Sequence, residues 1–268
     1  MLDAERRIMD DGVGEITLPR RGPNLHDKER PSGLLARVGA EMTMKKTALT
    51  IDLLCTEAKV FSGLESARAE PALFGVTDGK AIGTYLERKF KAYLQARYNF
   101  AEGNSASGID FPDLGVDMKT TSVRQPQSSC PFKSARQKVY GLGYGLIVFV
   151  YDKADDPATR SATLRMTDTV FVEKHRTADF QMTRGLRRIV EDEGGMEDLV
   201  AFMREKGLPA DGMELKSLAE EIIRNKPEQG YLTISSALQW RLQHARAIER
   251  ADAAPGLRAV HKSRMVAP

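Results

Sequence analysis

An α/β core followed by a mainly helical C-terminal part is the fold class this sequence predicts, on three observations. A helix opened by Asp78, with a one-sided apolar stripe from Ile82 to Leu94, is followed by strand alternation over residues 109–121. Residues 146–151 form a continuous apolar run of the kind that makes a fully buried strand. Beyond residue 179 the apolar positions recur at helical spacing almost to the end. The resulting order, helix, strands, helix, strand, strand and then helices, belongs to α/β architectures.

Each element follows from local signals. Residues 1–41 are polar, interrupted by Pro19, Pro23 and Pro31, and carry no apolar period. They read as a loose arm, either disordered or preceding a true start at Met42 or Met44. Residues 47–64 suit a helix through Leu49, Leu53, Leu54, Val60 and Phe61. Asp78 is placed to cap the next helix, whose Ile82, Leu86, Phe90, Tyr93 and Leu94 share one face with Glu87 at its edge. After a loop rich in Gly, Asn and Ser, residues 109–121 read as a hairpin turning around Pro112 to Gly115. Val116 and Met118 point one way, Asp117 and Lys119 the other. A Gln, Ser and Pro loop leads to a helix over 133–140, the buried strand 146–151 and a strand over 164–173. Helices follow over 180–191, 196–203, 215–225 and 235–250, the last through Leu238, Leu242 and Ala245. The expected organisation is an arm (1–41), a catalytic core (42–178) and a mainly helical part (179–268), the last in the same domain or a small subdomain.

Composition narrows the setting. With 268 residues, 41% hydrophobic and 29% charged, the chain can bury a sizeable core. Its 40 Lys plus Arg against 37 Asp plus Glu give a net charge of +3, which neither demands nor excludes a polyanionic partner, so clustering has to decide. Cys55 and Cys130 stand far apart with no CxxC spacing, which excludes a disulfide scaffold, a structural zinc site and a thioredoxin-like motif and makes a reducing, cytoplasmic setting the expectation. No apolar run approaches the ~18 residues of a membrane span, so no membrane partner is expected.

One stretch carries chemistry: Gly108-Ile-Asp110-Phe-Pro-Asp113-Leu-Gly-Val-Asp117-Met-Lys119-Thr-Thr. Two carboxylates separated by a tight turn, with a lysine two residues past the second, are the equipment for metal-assisted phosphodiester hydrolysis. Asp110 and Asp117 are candidate ligands for Mg²⁺, which favours one or two carboxylates plus substrate phosphate. Lys119 is placed to orient the attacking water and offset charge on phosphorus. Glu87 can reach the same centre from its helix and serve a second ion, or can simply pair with Lys91 one turn on. Spacing alone decides little, since D-x6-[DE]-x-K arises by chance in about one chain in ten.

The surrounding residues decide more. The string Asp110-Phe-Pro-Asp-Leu-Gly-Val-Asp117-Met-Lys119-Thr, preceded by Lys80-Ala-Ile-Gly83-Thr-Tyr-Leu86-Glu87, resembles the PD-(D/E)xK nuclease superfamily and, within it, the MutH branch. That branch holds a mismatch-repair nicking enzyme and some type II restriction endonucleases. The likeness includes the Phe, Pro, Leu and Gly that shape the hairpin and spans roughly residues 79–121. The second acid is Asp where the branch has Glu; the wider superfamily accepts either. The resemblance implies a restriction-endonuclease-like core, a central mixed sheet flanked by helices, with Glu87, Asp110, Asp117 and Lys119 catalytic, the three acids metal-binding, and Mg²⁺ as cofactor. It implies a type II restriction endonuclease cutting a short site in double-stranded DNA, with a homodimer to match a palindrome and a DNA methyltransferase as genetic partner. The alternatives are a MutH-type mismatch-repair nickase and a catalytically silent DNA-binding module of the same fold.

Candidate DNA contacts follow the catalytic strand. Between Lys119 and Val150 stand Arg124, Lys133, Arg136 and Lys138 with no Asp or Glu, a one-sign stretch suited to phosphates. Gln125 and Gln127 can pair with adenine edges. A second cluster, Lys174, Arg176, Arg184, Arg187 and Arg188, is either a backbone-holding surface or an ordinary solvated face. Asp113 reads as a turn residue, the Gly141-Leu-Gly143-Tyr-Gly145 string as a tight turn, and the four scattered histidines as no metal site.

Overall fold

The computed structural model describes residues 46–103, 108–131, 133–235 and 240–263; the expectation about residues 1–41 lies outside them. In chain order the strands are β1 (Thr47–Ala48), β2 (Ala69–Glu70), β3 (Tyr98–Asn99), β4 (Val116–Ser122), β5 (Gln127–Cys130), β6 (Gly145–Asp156), β7 (Ser161–Val172), β8 (Thr233–Ser235), β9 (Trp240–Gln243) and β10 (Leu257–Lys262). The helices are α1 (Ile51–Ser66), α2 (Gly79–Gln95), α3 (Arg136–Tyr140), α4 (Phe180–Glu191), α5 (Met196–Glu205), α6 (Gly212–Arg224) and α7 (Ala245–Glu249).

The central sheet runs β10-β7-β6-β4, with β2 also on β7; β4 and β6 are parallel and the other pairs antiparallel, so the sheet is mixed as expected. Alternation along β4 and β6 divides its two faces. Val116, Met118, Ile147 and Phe149 meet Phe61 of α1 and Leu86 and Phe90 of α2 in one core. Leu146, Val148 and Val150 turn the other way, onto Leu232, Ile234 and Leu242. A third cluster, centred on Leu186, Leu199, Leu215 and Ile222, holds α3 to α6 together.

The α2 helix begins as its sequence dictates: the Asp78 carboxylate accepts from the Lys80 and Ala81 amides, and the Ile82, Leu86, Phe90, Leu94 stripe is buried. Its N-terminal half lies on β4, where a Cβ on Gly83 would sit in ordinary contact with Thr120, 3.9 Å away.

Three expectations change. The hairpin of residues 109–121 shrinks to one antiparallel bridge, Phe111 with Val116, around a 3-10 turn at Pro112–Leu114 that ends in the left-handed Gly115. Of the helix expected over 235–250, residues 236–239 lie outside the described residues, and the rest forms the end of β8, β9 and the short α7. Ile234 and Leu242 are buried while Arg241 and Gln243 are exposed, a period of two that the three apolar residues at helical spacing hid. The Gln and Ser loop after β4 contains β5, which pairs with β9 to make a second sheet, β5-β9-β8. No helix among the described residues is long and apolar enough to cross a membrane.

Candidate active site

The site sits on the outer edge of β4, the strand that ends the central sheet. Val116 exchanges backbone bonds with Phe111, but the next outward amide, that of Met118, has no strand to bond. The Asp110 carboxylate takes that place, its Oδ2 accepting from Met118 at 2.9 Å. The short turn thus folds Asp110 back onto the strand that carries Asp117 and Lys119, and sets the two carboxyl groups side by side, close enough for each to shift the other's pKa.

Electrostatics separate the two acids. Burial pushes Asp117 up from 3.8 to about 7, with Asp110 adding to the rise and Lys119 opposing it. Burial acts on Asp110 too, but the adjoining Asp117 carboxyl and hydrogen bonds from Lys91 and the Met118 amide outweigh it and hold that carboxyl below the usual range. Lys119 Nζ lies 2.7 Å from Asp117 Oδ2 as an ion pair, yet off the direction of a hydrogen bond, so Oδ2 is buried without a hydrogen-bond donor. Two hard oxygen donors in contact, one of them with an unused buried lone pair, are a donor set that a divalent cation fits: it relieves the like-charge contact and uses the orphaned oxygen.

Glu87 enters differently from the sequence expectation. Lys91, one turn further along α2, places its ammonium 2.8 Å from Glu87 Oε1 and 2.6 Å from Asp110 Oδ1, so a lysine bridges the helix glutamate to the acid pair. Among the described residues no three acidic, His or Cys side chains converge as a metal cage. Sequence reasoning met Lys91 only as a surface partner of Glu87; the i+4 step was the available signal, and its reach to Asp110 was not. His244 was also missed. It is fully buried, bonds Ser128 Oγ at 2.8 Å, and is held down to about 3 by burial and by the charge of Lys119, hence neutral. Nothing in the local sequence signals this role, because its partner is 116 residues away.

Glu87, Lys119, Gln125, Gln127, Ser129 and Arg241 line one groove. Arg124 and Lys133 are exposed outside that lining. Lys138 is a correction: its side chain is buried in α3 near Asp179, which removes it from any phosphate surface, and burial lowers its pKa. Arg136 is chelated by Glu221 of α6, with contacts of 2.6 to 3.2 Å, and lies over the Tyr140 ring. In the second basic cluster Arg176, Arg187 and Arg188 pair with Glu228, Glu191 and Asp192, as a solvated structural face does. Asp113 accepts from the Ala101 amide at 2.9 Å, a turn residue as read.

A mixed sheet whose edge strand carries an acid and a lysine two residues apart, with a second acid folded against them by a Pro turn, defines a nuclease of the PD-(D/E)xK class. Comparison with known proteins agrees: the family described as type II restriction enzyme NspV matches residues 48–259. The chain is 59% identical over 217 residues to the type II restriction enzyme NspV of Nostoc sp. (strain ATCC 29411 / PCC 7524), covering 81% of this chain and 99% of that protein. The chain belongs to the NspV family of type II restriction enzymes, which makes it a site-specific restriction endonuclease. No solved structure matches it.

Proposed function

We propose that this endonuclease is Mg²⁺-dependent and hydrolyses phosphodiester bonds at a short specific site in duplex DNA, using Asp110, Asp117 and Lys119. The observation that carries the reading is the Asp110–Asp117 contact with its orphaned oxygen beside Lys119. Asp110 and Asp117 would hold Mg²⁺, which when bound supplies charge stabilisation at a phosphate oxygen and a more acidic water. The chain's own groups do the rest. The Met118 amide and Lys91 fix the orientation of Asp110. Lys119, half-buried at the groove wall, meets the scissile phosphate with a cation that orients water and offsets developing charge. Lys91 balances the charge of Glu87 and Asp110, and Glu87 acts at the site through that lysine.

Similarity to a restriction enzyme along 99% of its length favours this reading over a mismatch-repair nickase and over a silent DNA-binding module. A palindromic site is met most simply by a homodimer, and a DNA methyltransferase encoded nearby would protect the host, with both proteins in the cytoplasm. The test incubates the purified protein with phage DNA and Mg²⁺. Discrete fragments are expected, with Asp117→Ala and Lys119→Ala silent in cleavage while still binding the site in Ca²⁺. Absence of fragments, or full cleavage by both variants, overturns the proposal.

A further inference from the structure

The three-stranded sheet β5-β9-β8 presents a polar face of which the sequence singles out Gln127 alone. Register places Gln127 beside Gln243 and Thr233 in one row, and Ser129 beside Arg241 and Ser235 in another. Residues two apart on a strand share a face, so these two rows lie together. Ser129, Arg241 and Gln243 are exposed; Gln127, Thr233 and Ser235 are half-buried. All six are hydrogen-bonding side chains and none is acidic. Arg241 has no ion pair or side-chain hydrogen bond among the described residues, in contrast to Arg136, Arg176, Arg187 and Arg188, each tied to a carboxylate.

The opposite face anchors the sheet. Leu242 and Ile234 are buried against the central sheet, and Ser128 bonds the buried His244. Thr121, two residues past Lys119 on the catalytic strand, ties β5 down: its Oγ1 accepts from the Gln127 amide at 2.9 Å and lies 3.0 and 3.1 Å from the Gln127 and Gln125 carbonyls. Gln127, Ser129 and Arg241 line the groove that Lys119 and Glu87 also line. The face is therefore fixed relative to the site of chemistry, and a duplex whose phosphate meets Lys119 brings a groove of base edges towards it.

We propose that this face reads bases in the DNA major groove, with Arg241 at its centre forking onto a guanine edge and Gln127 and Gln243 flanking it to pair with adenines. The major groove admits strands as readily as a helix, and Arg with guanine and Gln with adenine are the pairings whose donors and acceptors match. The proposal rests on the endonuclease reading above and assigns specificity to residues on a strand 122 positions past the catalytic lysine, residues a purely local motif does not reach.

The experiment first defines the site by sequencing the ends of wild-type digests, then measures kcat/KM and salt-dependent binding on duplexes with each base pair changed singly. Arg241→Ala is expected to lower kcat/KM on the wild-type site by about 5- to 150-fold and to abolish discrimination at one G·C pair, leaving other positions read. Arg241→Lys, which keeps charge but loses the fork, is expected to show the same relaxed position with an unchanged salt slope. Gln243→Ala is expected to relax a different position, an A·T pair. A uniform loss across all duplexes with a salt slope reduced by about one would make Arg241 a phosphate contact and overturn the proposal. So would unchanged discrimination in all three variants. If the wild-type protein yields no discrete fragments, the endonuclease reading itself fails, an outcome separate from these.

Discussion

Helix α2 carries two lysines two residues apart, and each bridges a pair of acids, yet the two clusters are built to opposite ends. On one side Lys89 lies 2.7 Å from Glu65 of α1 and 3.5 Å from Glu70, and donates to the Tyr85 hydroxyl, which itself donates to Glu70 at 2.6 Å. Its acids do not hydrogen-bond each other, and the Tyr85 hydroxyl leads in holding Glu70 below the usual carboxylate range. On the other side Lys91 bridges Glu87 and Asp110, but Asp110 also touches Asp117, whose pKa is driven up and whose Oδ2 lacks a donor. The first cluster is complete and ties α1, α2 and the intervening turn together. With Arg68 also 3.3 Å from Glu70, the first sets two cations against two acids, whereas the second sets Lys91 and Lys119 against three, and that shortfall of one charge suits a bound cation.

The comparison can be broken from either side. Removing the site's cation, Lys119→Ala, is expected to cost about 10²–10⁴-fold in single-turnover cleavage while the protein still folds, because Asp117, already pushed up to about 7, takes a proton when the ammonium is gone. A variant that unfolds instead would place Lys119 with the structural cluster. Removing the structural cation, Lys89→Met, leaves Glu65 buried without its ammonium and is expected to destabilise by about 2–3 kcal/mol in urea unfolding, with cleavage per folded molecule unchanged.

Asp117→Asn sharpens the contrast. Folding raises the Asp117 pKa from 3.8 to about 7, so the native state binds this proton more tightly than the unfolded chain does. Stability of the metal-free protein therefore falls as pH rises through that window and stays low above it; Asp110, held below 3.8, acts only at more acidic pH. The asparagine variant is expected to gain about 1–3 kcal/mol at pH 8, to lose that pH dependence and to lose cleavage, read by thermal melts from pH 4 to 8. The smallest effect belongs to Asp113, the acid that literally follows Pro112. Asp113→Ala removes one exposed acceptor from Ala101 and is expected to cost about 0.5–1 kcal/mol with cleavage within about two-fold of wild type. A large loss of cleavage there would move Asp113 into the site.

Much of this was legible in the chain. Asp78 and the Ile82, Leu86, Phe90, Leu94 stripe announced α2, residues 146–151 announced the buried first half of β6, and the Asp110 to Lys119 string announced the acid pair and lysine. What stayed hidden depends on distant partners. The β9 strand was masked by Leu238, Leu242 and Ala245, whose spacing mimics a helix when the strand partners are unknown. The β10 strand was missed because a bulge between Ala259 and His261 breaks its alternation. Lys138 looked like a surface cation because its burial is decided by the packing of α3 beside Asp179.

The pairing of β5 with β9 also sets an order of assembly. Glu87, Asp110, Asp117 and Lys119 lie within a short span that leaves the ribosome early, whereas Ser128 finds its His244 partner only after a further 116 residues have emerged. Closing so long a loop is slow and comes late in folding. A nascent or truncated chain therefore holds its acids and lysine before it has the face proposed to choose a sequence. Truncation between Val172 and Trp240 would remove the second strand of that face while leaving β4 its β6 partner and the motif in place.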